Sequence, residues 1–181
     1  MIMFCEDANY IKAIPLPSRK ASHFVSAYKV GCDFFTVRGF TPSFLRLDNE
    51  SSGTLAALNT KLRITPEYVP PGTHRANRAE RAIRTWKNHF ISTLCTCDPS
   101  FPLAAWDELI PHAEMTLNLL RSSGRTPLIS AWHELHGPPD LDRTPLAPPG
   151  MRVVIHEKPA DRTSWAPHGV DGFYVGPAPL H

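Results

Sequence analysis

The chain has 181 residues, 42% of them apolar and 20% charged, with a formal net charge of +2. That length suits one domain, or one domain plus a small appendage, with a real core, and the composition excludes intrinsic disorder. No apolar run reaches the roughly 18 residues of a membrane span, and the small net charge confines any nucleic-acid footprint to a local patch.

Ile2 to Cys5 is a short apolar run that reads as a buried strand. Glu6-Asp7-Ala8-Asn9 reads as a turn, and Tyr10 to Leu16 as a second strand ended by Pro15 and Pro17. Two strands this close make a hairpin. Ser18 is an N-cap type, and Ala21, Phe24, Val25, Tyr28 and Cys32 follow at helical spacing, so a helix is predicted from Ser18 to about Cys32. Gly39 and Pro42 break the chain. Ser43 to Leu47 is a predicted strand that delivers Asp48-Asn49-Glu50 at its end. A short helix follows around Leu55, Leu58 and Leu62, then a strand from Ile64 to Val69, closed by Pro70-Pro71-Gly72.

The longest predicted helix runs from about Arg75 to Cys95. Ala79, Ala82, Ile83, Trp86, Phe90 and Leu94 form its apolar stripe. Another helix is predicted over Leu103 to Leu120, and a short one over Pro127 to His136. Residues 138–150 are proline-rich and read as a linker. The whole chain holds 19 prolines, about twice the usual share of roughly 5%. Arg152 to Glu157 and Gly172 to Val175 read as strands of a small β module. The domain plan is therefore 1–137, a linker over 138–150, and 151–181.

The opening residues lack the basic flank and full apolar region of a secretion signal. The four cysteines (Cys5, Cys32, Cys95, Cys97) form no CxxC pair and read as reduced intracellular thiols. The nine histidines are scattered without zinc spacing and read as structural or surface residues.

Two carboxylates stand out. Asp48 sits where a strand ends, which is where α/β folds present ligands. Glu80 lies early on the long helix among Arg75, Arg78, Arg81, Arg84 and Lys87. At roughly 100° per residue, Glu80, Arg84 and Lys87 share a flank beside the apolar stripe. Cations there can grip phosphate oxygens while a carboxylate holds a metal. A plainer reading stays open for each. Asp48-Asn49-Glu50 is also good turn chemistry, and Glu80–Arg84 is also an ordinary helical i,i+4 pair on a solvated face.

Taken together, Phe44-Leu45-Arg46-Leu47-Asp48-Asn49-Glu50 and Val69 to Arg81 resemble the catalytic core of copia-type retrotransposon and retroviral integrases. Within the second stretch, Pro70, His74, Asn77 and Ala79-Glu80-Arg81 match that family's pattern. Ala82 to Lys87 and Thr116 to Arg121 fit its later helices, and Trp165 to Gly176 its small β module. The resemblance implies an RNase H-like α/β fold, a mixed sheet flanked by helices. It also implies DNA integration by strand transfer, using three carboxylates and two Mg²⁺ (or Mn²⁺) about 4 Å apart. Asp48 would be the second aspartate and Glu80 the glutamate, both metal ligands. His74, Arg75, Asn77, Arg78, Arg84 and Lys87 would be nucleic-acid contacts. The implied partners are element ends, target DNA and further copies of the chain, in the nucleus and without a membrane.

Two departures accompany the resemblance. Thirty-one residues separate Asp48 from Glu80; the shortfall against the family spacing is about one helical turn of 3.6 residues, which keeps the short helix's face. The family's first strand and its aspartate also find no match. Asp7 corresponds to the turn after the second strand, not to that ligand. The chain thus reads as a fragment, stopping inside the β module, and incomplete for catalysis alone. The alternatives are a non-catalytic nucleic-acid-binding module or relic of the same fold, or a nuclease that cuts without joining.

Overall fold

Residues 1–47, 53–68 and 78–177 are described by the computed structural model. Ile2–Cys5 (β1) and Tyr10–Ala13 (β2) form an antiparallel hairpin in which Cys5 faces Tyr10 and Ile2 faces Ala13. The turn between them closes through Asn9 N–H donating to the Glu6 carbonyl at 3.2 Å. Asn9 takes φ +52°, a left-handed conformation that asparagine tolerates well. β2 ends at Ala13, earlier than expected, because Pro15 and Pro17 have no N–H to extend the ladder.

α1 spans Ala21–Thr36, starting later and ending later than the predicted helix. Ser18 does not cap it. Its hydroxyl instead accepts from Lys20 N–H at 3.3 Å and pairs with His23 Nδ1 at 2.8 Å. The far end extends by a turn because Phe35 continues the buried face of Tyr28 and Cys32. It stops in a Schellman arrangement: Gly39 sits at φ +83°, and Phe40 N–H donates to the Phe35 carbonyl at 3.0 Å. Phe35 and Phe40 then pack in one cluster with Ala8, Tyr10, Ala131 and Leu135.

Phe44–Leu47 (β3) and Thr65–Tyr68 (β4) pair in parallel, Leu47 opposite Tyr68. Parallel neighbours need a crossover, and α2 (Gly53–Leu62) lies between them in sequence. Its buried Leu55 joins Tyr28, Cys32 and Ile64 in a second apolar cluster. Asn59, also buried, accepts the Tyr28 hydroxyl at 2.8 Å.

α3 is Arg78–Cys95. Ala82 and Trp86 are buried as the stripe requires, but Ile83, assigned to the same stripe, is half exposed. The single helix expected over Leu103 to Leu120 is in fact two pieces. A 3-10 stretch, Leu103–Leu109, leaves helical geometry at Ala105, and α4 is Ile110–Leu119. Pro111 explains the split: it lacks an N–H and its ring clashes with the preceding turn, so it fits only at the start of a helix. α5 is Ala131–His136, shorter than expected because Ser130 is the cap, its hydroxyl accepting from His133 N–H at 3.1 Å.

Arg152–His156 (β5) pairs antiparallel with Gly169–Phe173 (β6). β6 begins three residues before the predicted strand and stops short of its end. Its glycines, poor strand formers, hid it, yet each answers a large neighbour. A Cβ at Gly172 would lie 2.4 Å from the Ile155 side chain, and one at Gly169 would lie 2.6 Å from Val154.

The architecture is mixed α/β. Among the described residues the strands form three two-stranded sheets, and no helix is long and apolar enough to cross a membrane. The chain divides into two compact units, Met1–Asn88 with Glu114–Pro139, and His89–Ala113 with Asp140–His181.

Candidate nucleic-acid interface

The candidate residues fall into two groups. Asp48, His74, Arg75 and Asn77 lie outside the described residues. Glu80, Arg78, Arg84 and Lys87 all lie on α3 and all are exposed. Glu80 occupies the first turn, where a carboxylate complements the partial positive charge of the helix start.

A carboxylate oxygen is the donor that a hard divalent cation takes, so Glu80 suits Mg²⁺ in its chemistry. Among the described residues, no three His, Cys, Asp or Glu side chains are gathered for a metal.

Arg78 is not simply solvated. Its Nη1 donates to Glu6 Oε2 at 2.8 Å, and Glu6 also lies 3.6 Å from Arg46. The hairpin turn thus reaches the start of α3. Beside this pair is a cleft of about 340 Å³ within the first unit. Its walls include Arg78, Arg81 and Thr85 of α3, the Glu6 and Asn9 turn, and Arg121 after α4. A neighbouring hollow of about 420 Å³ shares Glu6, Arg78 and Gly124 and adds Arg125.

The cleft is held by local chemistry. Arg121 is half-buried; its Nε donates to the Asn9 carbonyl at 2.8 Å, and Nη2 donates to Asn9 Oδ1. Burial lowers the guanidinium's proton affinity from its ordinary value. Asn9 Nδ2 in turn donates to the Ser122 carbonyl at 2.8 Å. Gly124 lets the loop approach the turn: a Cβ there would lie 2.5 Å from the Asp7 carbonyl oxygen. Asp7 is therefore exposed on a turn that packs by its backbone.

Sequence reasoning missed Arg121, Arg125, Asn9 and Glu6 as parts of one surface. Arg121 closes the Thr116 to Arg121 stretch, and that position was the one available signal. The four cysteines are free, and burial pushes the Cys5 and Cys32 thiols up, which suits packing more than nucleophilic chemistry.

No family model matches the chain, and no curated protein matches it. Among solved structures it is similar to the HTLV-2 integrase catalytic core domain, determined in complex with magnesium in a dimeric form. That similarity has a TM-score of 0.49 and 19% sequence identity, over 72% of this chain and 78% of the other.

Proposed function

We propose that the chain is an RNase H-like integrase domain that acts on DNA ends, with residues 1–137 as its core, 138–150 as linker and 151–181 as a small β module. The observation that carries this reading is the setting of Glu80, in the first turn of an amphipathic helix beside Arg78, Arg81 and Arg84. The sequence motifs around Asp48 and Glu80 support it.

In this reading Asp48 and Glu80 would hold Mg²⁺ or Mn²⁺ through carboxylate oxygens; no third carboxylate of this chain is assigned to the metals, so the domain is incomplete for catalysis alone. The chemistry such metals would supply is activation of the attacking hydroxyl and stabilisation of the leaving oxygen. Arg78, Arg84 and Lys87, with His74, Arg75 and Asn77, hold the phosphate backbone in register. The domain works as a homo-oligomer on element ends and target DNA, in the nucleus.

One observation favours a second reading, a nucleic-acid-binding module without catalysis: the cleft beside Glu6 is lined by arginines more than by carboxylates. Joining of labelled DNA ends separates the two. Mg²⁺-dependent joining that disappears in Asp48→Asn and Glu80→Gln supports the integrase. Cleavage without joining points to a nuclease. Binding that ignores Mg²⁺ and both substitutions, with no joining, leaves the module.

A further inference from the structure

We propose that the arginine-lined cleft between the Glu6–Asn9 turn, the start of α3 and the loop after α4 is a metal-independent seat for the phosphodiester backbone of nucleic acid. The choice of nucleic acid as ligand rests on the proposed function; the anionic character of the ligand rests on the cleft alone.

Three lines of geometry support it. First, cations from two distant parts of the chain meet there: Arg78 and Arg81 from α3, and Arg121 and Arg125 from the loop after α4. Against them stand Glu6 and Asp7. Guanidinium groups match phosphate oxygens with paired donors; Arg78, Arg81 and Arg121 line the first hollow and Arg78 and Arg125 the second.

Second, the cleft consists of two adjoining hollows. Its two hollows, about 340 and 420 Å³, share Glu6, Arg78 and Gly124. Arg78, Arg81 and Thr85 recur at three- and four-residue steps, so they line one flank of the helix. Two adjoining hollows that share one arginine can take neighbouring phosphates of a strand.

Third, the cleft carries its own stand-in for the ligand. Glu6 reaches Arg78 at 2.8 Å while both side chains remain exposed. Such an exposed pair contributes little to stability, and a phosphate can replace the carboxylate oxygen at the same donor. Arg121, fixed by Asn9, holds its place without the ligand.

The test uses the full chain and a fluorescein-labelled DNA oligonucleotide, in EDTA, across a salt series. The two variants are Arg81→Ala and Arg125→Ala. Arg81 is an exposed position, whereas Arg125 also covers the Phe40 ring at 4.3 Å, so thermal melting checks that both variants are folded. Each is expected to weaken binding several-fold and to reduce the salt slope by roughly 0.7–0.9, the loss of one phosphate contact. Glu6→Gln removes the competing carboxylate and is expected to tighten binding. Arg152→Ala, in the other unit and paired to Asp171 at 2.7 Å, is expected to keep the wild-type slope. Wild-type affinity and slope in both arginine variants would overturn the proposal, as would weaker binding by a folded Glu6→Gln protein. Because EDTA is present throughout, these outcomes are separate from success or failure of metal-dependent joining.

Discussion

The Asn118 side chain acts as a neighbouring strand for Ile11. Its Oδ1 accepts from Ile11 N–H at 2.9 Å, and its Nδ2 donates to the Ile11 carbonyl at 2.9 Å. Both residues are fully buried. One turn earlier on α4, Glu114 Oε2 accepts from Ala13 N–H at 3.0 Å. The outward edge of β2 is thus satisfied by a helix rather than by a strand.

Asn118→Leu keeps the volume and removes both bonds. Two buried backbone groups then lack partners, each costing about 1–3 kcal/mol. The expected loss is about 3 kcal/mol, read as a lower urea midpoint with an unchanged slope. A loss below about 0.5 kcal/mol would show that water reaches the β2 edge.

Glu114 carries a denser set of contacts. It accepts from the Tyr10 hydroxyl at 2.8 Å and from Lys12 Nζ at 2.9 and 3.0 Å. Burial and the Glu114 carboxylate push the Tyr10 hydroxyl well above its ordinary pKa. Lys12→Met strands a charge that is 5% exposed, although Lys12 itself is 21% exposed. Breaking a fully buried pair costs about 3–5 kcal/mol; partial exposure of Lys12 brings the expected cost to about 2 kcal/mol. Lys12→Met combined with Glu114→Gln should recover part of it, and a double-mutant cycle measures the coupling. Strict additivity would mean that the pair is not coupled.

The acid limb of stability should involve His136. Its ring stacks on Trp132 at 3.8 Å and meets the Tyr10 hydroxyl at 3.2 Å. Burial first, then Arg38 and Lys12, lower its pKa to about 4. The unfolded chain takes up that proton near pH 6.5, so it binds more protons between pH 6.5 and 4. Stability therefore falls as pH drops through this window. Solvent screens the partly exposed ring, so the contribution is about 1 kcal/mol. His136→Phe keeps an aromatic surface and should flatten this part of the profile in urea melts at several pH values. An unchanged profile would assign the acid sensitivity elsewhere.

Gly124 was not legible as a site residue, and the reason is physical. The hairpin, β3, α2, β4 and the stripe of α3 show themselves in the sequence because apolar period and breakers are local signals. Glu80, Arg78, Arg84 and Lys87 are legible on α3 for the same reason, whereas Asp48, His74, Arg75 and Asn77 lie outside the described residues. Pro111 was visible, yet the apolar pattern runs through it on both sides and masks the break. The cleft has no local signature. Arg81 and Arg121 are far apart in sequence, and their walls meet through the bonds of Arg121 and Ser122 to Asn9, the Arg78–Glu6 pair and the close approach of Gly124 to Asp7 and Glu6.

Gly124→Ala tests that approach. Its Cβ would lie 2.5 Å from the Asp7 oxygen and 2.8 Å from the Glu6 oxygen, both backbone atoms. Neither can rotate away as a side chain can, so the turn or the loop must shift. Overpacking of this kind costs about 1–3 kcal/mol. The variant should melt earlier and also bind oligonucleotide more weakly in EDTA, because the turn carrying Glu6 and Asn9 moves. A lower melting temperature with wild-type binding would separate the packing role from the cleft.

Metal removal gives the sharpest test of Asp48 and Glu80. A ligand that binds only the folded chain stabilises it by about 2.7 kcal/mol at a hundredfold excess over its Kd. Mg²⁺ should therefore raise the melting temperature of the full chain, and EDTA should reverse the rise. Glu80→Gln keeps the helix and its size but removes the charge that a hard cation needs. It should abolish the Mg²⁺ shift, and Asp48→Asn should do the same. Neither substitution should weaken oligonucleotide binding in EDTA at the arginine cleft. If Mg²⁺ shifts wild type and both variants alike, the ion sits elsewhere and these two carboxylates are not its ligands.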